Sequence, residues 1–91
     1  MPYKINDLDS VFDNIDACDK TFFSIKKTKK DSNLLIFIAG AVAFRGNLTD
    51  EQIASFLERA DSINAEWKAQ TGRLKIVEFE TYQDLAQLAA W

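Results

Sequence analysis

From Leu34 to Phe44 the chain is apolar without interruption. Leu34, Ile36, Ile38, Val42 and Phe44 fill one alternation face, and Leu35, Phe37, Ala39, Ala41 and Ala43 fill the other. A strand apolar on both sides must be covered on both sides, which predicts an interior strand over residues 34–45 with helices above and below it. Gly40, in mid-run, is read as a bulge or as a point of close helix approach.

The flanking patterns predict the other elements. Ile5, Leu8, Val11, Phe12, Ile15 and Cys18 fall in one arc at helical spacing, so residues 5–19 are expected to form a helix. Residues 21–30 read as a strand that pairs with 34–45 across Asp31, Ser32 and Asn33, with Asn33 as the left-handed turn residue. Gly46 and Asn47 are expected to end that pair. Thr49 and Gln52 form a capping box for a helix over 50–71, and Gly72 stops it. Its apolar stripe is Ile53, Phe56, Leu57, Ala60, Ile63 and Trp67. A third strand over 73–80 and a short helix over 82–90 follow.

The expected fold is therefore α+β, in the order α-β-β-α-β-α, as one domain over residues 1–91. Its three-stranded mixed sheet is expected in the order 1-2-3, with the apolar strand central. The alternative puts the first strand between the other two. Four lysines in that strand's second half favour the edge, where lysine discourages strand-to-strand aggregation.

Composition narrows the chemistry. Histidine is absent, which removes the commonest general base and metal ligand. Cys18 is the one cysteine, so it is read as a small buried hydrophobe in a reducing compartment. The start of the chain shows no signal-peptide pattern and the apolar run is too short to cross a bilayer, so a cytoplasmic location is expected. The three glycines are isolated, so no phosphate-binding loop can be built. Glu78 and Glu80 share a strand face, with nothing to suggest a pocket around them. No enzyme activity, metal or cofactor is expected.

Charge is what remains, and it is segregated. Residues 1–20 hold five aspartates against two lysines, residues 21–46 hold five cations against Asp31, and residues 47–91 hold eight acids against four bases. Asp9, Asp13 and Asp16 fall at i, i+4 and i+7, which lines one flank of the first predicted helix with like charge. Such a row is either a docking surface for a basic partner or a solvated face that keeps the protein soluble. Trp67, with Trp91, either closes the core or forms an interaction patch. Asn64 lies inside the long helix's apolar arc. It either reaches a backbone partner or marks where the helix overruns the sheet, the simpler reading.

Lys26, Lys27, Lys29 and Lys30 could neutralise phosphates, but on a strand they alternate between faces, and no aromatic is interleaved to stack on bases. The expected function is thus a small, acidic, non-enzymatic protein-binding module. It is read as an inhibitor or adaptor docking on a basic surface of a partner through Asp9, Asp13, Asp16 and Trp67. By size and charge alone it fits the small acidic proteins of viruses and mobile elements. The alternative is a nucleic-acid-binding domain using the lysine segment; a homodimer along the strand edge or through the tryptophans is a third possibility.

Overall fold

The computed structural model describes residues 3–5 and 7–89, with the backbone alone for 3–5, 88 and 89. Along the chain run β1 (Tyr3–Ile5), α1 (Leu8–Asp13), a 3₁₀ turn (Ile15–Ala17), β2 (Thr21–Lys29), β3 (Ser32–Ala39), β4 (Val42–Leu48), α2 (Asp50–Thr71), β5 (Ile76–Glu78) and α3 (Tyr82–Ala89). The α+β class holds. Trp91 and the predicted last helical residue, 90, lie outside the described residues, as does residue 6.

The sheet has five strands in the order β1-β4-β3-β2-β5, not three. β2, β3 and β4 form an antiparallel meander, while β1 joins β4 and β5 joins β2 in parallel. The apolar run is not one strand but two, folded back at Gly40 and Ala41. Gly40 adopts φ +62°, the left-handed conformation required at the first position of a tight hairpin turn. A side chain there would also lie 2.9 Å from the Cys18 sulfur. Gly40 and Ala41 are themselves exposed, and Asn14 Nδ2 donates to the Ala39 carbonyl beside them at 2.6 Å, supplying a polar partner from another element. In consequence Gly46 and Asn47 lie within β4 rather than beyond the hairpin.

The β2–β3 hairpin forms as expected, but Asp31, at φ 64°, is its left-handed residue. Asn33 is buried in β3. β5 pairs with Thr21–Phe23 of β2, so the first predicted strand sits between the other two, contrary to the expected order. The lysines do not oppose this. They occupy the other half of β2, beyond the reach of a three-residue neighbour, and that half remains an edge.

The predicted helix over 5–19 breaks into β1, α1 and the 3₁₀ turn. The Asp7 side chain caps α1 by accepting the Asp9 N–H at 3.0 Å, and the chain leaves the helix at Asn14. The inward positions are nonetheless those of the apolar arc, with Val11, Phe12 and Ile15 buried. The strand expected over 73–80 is confined to Ile76–Glu78. Helix α2 matches expectation, with both capping-box bonds present and Gly72 at φ 77°. Leu57, placed on its inner stripe by the sequence, is 37% exposed.

Helices α1 and α2 share one sheet face. Phe56 sits 5.2 Å from both Phe23 and Phe37, ring centre to centre, and Phe12 sits 5.0 Å from Phe37. Such tilted aromatic contacts each add about 0.5–1.5 kcal/mol beyond area burial. α3 covers the other face, where Tyr82 approaches Lys26 and where Leu85 and Ile36 are fully buried. The central strand β3 is therefore covered on both sides, as its composition requires.

Candidate functional site

Because α1, the 3₁₀ turn and α2 lie on the same side of the sheet, their exposed carboxylates form one layer. Asp9, Asp13 and Asp16 contribute from the first two elements, and Glu51, Glu58, Asp61 and Glu66 from α2, all exposed. On α2 itself, Arg59 and Lys68 stand among them.

The three predicted aspartates do not share a helix flank. Asp9 and Asp13 share α1, which ends at Asp13, and Asp16 lies on the separate 3₁₀ turn. Asp9 is paired across to α2, with Arg59 Nη1 2.6 Å from its carboxylate. The same guanidinium stacks 3.9 Å above the Phe12 ring, so Arg59 bridges the two helices through charge and aromatic face together. Asp13 and Asp16 have no ion-pair partner among the described residues.

Asp16 and Trp67, singled out separately in the sequence, meet at one hollow of about 260 Å³. Phe12, Ile15 and Ile63 form its apolar part, with Glu66 and Lys75 beside them. Trp67 is half-buried, and the Lys75 ammonium lies 3.9 Å from its ring centre. Lys75 is only 3% exposed, while its neighbour Leu74 is 45% exposed. Sequence alternation had placed Lys75 on a strand without marking it as buried. The indole is what makes its burial tolerable, since the ring face attracts the cation. A larger, open groove of about 520 Å³ runs between α1 and α2 over Phe44 and Leu48, with Arg59 and Glu51 at its rim.

Asn64, read from sequence as overrunning the sheet, instead fastens α2 to β5. Its side-chain oxygen accepts the N–H groups of Lys75 and Ile76 at 2.9 and 2.7 Å, and its amide donates to the Ile76 carbonyl at 2.8 Å. A polar residue inside an apolar arc was the available signal.

The lysines lie at the far end of β2, all exposed. Lys26 faces α3, its ammonium 5.7 Å from the Tyr82 ring centre. Lys27 faces α2 and reaches Asp50 at 2.6 Å. Asn33 donates to the same Asp50 oxygen at 2.7 Å, and this hydrogen bond, followed by that from Lys27, holds the Asp50 carboxyl below its ordinary value of 3.8. A register shift between Lys27 and Lys29 bulges the strand at Thr28.

Among the described residues no group of three or more carboxylates or thiols is placed to hold a metal ion, and no helix is long and apolar enough to cross a membrane. Comparison with protein-family models, with curated proteins and with solved structures finds no match to this chain.

Proposed function

We propose that this protein is a non-enzymatic binding module whose acidic α1/α2 layer docks on a basic surface of a partner protein, blocking or adapting that partner. The observation that carries this reading is the convergence of carboxylates from three elements on one side of the sheet. Within it, Asp16 and Glu66 flank a hollow backed by Trp67. Complementary charge steers encounter and selects partners, while a half-buried tryptophan supplies the desolvated contact typical of an interface centre. A cytoplasmic setting suits the lone thiol of Cys18.

The test is retention of partners from host lysate on immobilised protein, comparing the native chain with D13K/D16K/E66K. A basic protein held by the native chain, released by salt and absent from the folded variant supports the reading. Retention of the same species by both chains rejects it.

Nucleic acid has weaker support as a ligand of the lysine segment. Lys26 and Lys27 stand on opposite faces, and Lys27 is already held by Asp50. Salt-sensitive binding of generic RNA or DNA, with a slope reduced on removing these lysines, would favour that alternative instead.

A further inference from the structure

We propose that the open edge of β2 at Ile25–Lys27 receives an extended acidic segment of another protein as an added strand. This surface is separate from the α1/α2 layer and does not depend on the reading given to it.

β2 is nine residues long, but β5 pairs only with Thr21, Phe22 and Phe23. The last bond between them runs from the Phe79 N–H to the Phe23 carbonyl at 2.7 Å. The chain then passes into α3, on the sheet face rather than along the edge. Backbone direction follows from the bonds that are made. The Thr21 N–H donates to the Lys75 carbonyl and the Phe23 carbonyl accepts from Phe79, so Thr21 and Phe23 point toward the β5 side. Phe22, Ser24 and Lys26 then point toward β3, their partner strand on the other side. By the same alternation Ile25 and Lys27 turn their N–H and C=O groups outward, past the end of β5. Among the described residues no backbone partner meets them there. The bulge at Thr28 sets the far limit of this usable edge.

The lysines define what can pair. Lys26 stands on the α3 face and Lys27 on the α2 face, with Lys29 and Lys30 exposed beyond the bulge. That alternation spoils a one-sided phosphate patch, yet it suits an incoming strand, whose own side chains also alternate between faces. Glutamate or aspartate at successive positions would meet Lys26 on one face and, on the other, Lys27, whose solvent-exposed pair with Asp50 it would share, and such cross-strand pairs are favourable. A second copy of β2 brings the same lysines to the same edge and is repelled. The edge is thus closed to itself and open to an acidic strand, which is β-augmentation selected by charge.

The probe is a synthetic peptide of about seven residues with glutamate at successive central positions, flanked by threonine and valine, so that carboxylates fall on both faces of the added strand. Its effect is read by amide hydrogen exchange of the intact protein. At saturation, exchange at Ile25 and Lys27 is expected to slow about tenfold or more, with Ser24 and Lys26 unchanged because their amides already face β3. The K26E/K29E variant, folded by circular dichroism, should lose that protection. The proposal is overturned by any of three results. The peptide leaves Ile25 and Lys27 unprotected. The same peptide with every backbone amide methylated binds equally well, which reduces the contact to charge alone. Protection grows with protein concentration in the absence of peptide, which makes a second copy the occupant.

Discussion

The outer rim of β5 is finished by a side chain. Thr21 takes the inner side of this strand, leaving the Ile76 N–H and C=O facing away from the sheet, and Asn64 bonds both. Replacing it with leucine keeps the bulk and removes three hydrogen bonds at once. Asn64→Leu is expected to cost about 2–4 kcal/mol in denaturant unfolding, because part-buried backbone groups lose their partners. Faster amide exchange at Ile76 would localise the loss. Gly40 is demanding for a different reason. Gly40→Ala combines a left-handed backbone with a contact to Cys18 and should destabilise by about 1–3 kcal/mol. In a C18A background the contact vanishes and the backbone term stays, so a double-mutant cycle should return a smaller but nonzero cost. Equal costs in both backgrounds would show that the sulfur yields freely.

At the scale of elements, legibility tracked how local the determinants were. α2 could be read because Thr49, Gln52 and Gly72 act within a turn of the residues they cap. The two strands inside residues 34–44 could not be separated. The Gly40–Ala41 turn carries no Asn, Asp or Pro, and its polar partner comes from Asn14, far away in sequence. The order of the sheet failed similarly, since lysines were taken to exclude a neighbour along all of β2 when they exclude one only along half. For the candidate site, Asp16 and Trp67 were identifiable as residue types, but their shared hollow needed the folded chain, and Arg59 and Lys75 gave no local sign of their roles. Asp50 illustrates coupling between elements, joining β2 through Lys27 and β3 through Asn33 to the start of α2. Its carboxyl titrates lower when folded than when unfolded. The charged form is therefore favoured by folding above its ordinary value of 3.8, and this stabilisation disappears as pH falls through the folded-state value. The gap in melting temperature between native protein and D50N should hold steady near neutrality and close only below about pH 4. A gap that persists unchanged in strong acid would deny the coupling.

For the whole molecule, charge divides between two regions, carboxylates over the α1/α2 layer and cations around the end of β2. Proteins that place one sign on one side gain directional encounter with oppositely charged partners and lose some self-cohesion. Asp13, Asp16 and Glu66 are exposed and have no ion-pair partner among the described residues. Their joint reversal to lysine should leave stability within about 1 kcal/mol of the native value. A melting curve would check this, and a large loss would mean that these carboxylates hold the fold rather than face a partner.

The meander also bears on how the molecule assembles. β2, β3 and β4 succeed one another through reversals of two residues each, so residues 21–48 can register with little loop-closure entropy. β1 and β5, by contrast, pair in parallel with β4 and β2 at opposite rims, across longer segments that include α1 and α2. Early chain ordering is thereby expected within residues 21–48, with both rim strands arriving later in the folding reaction.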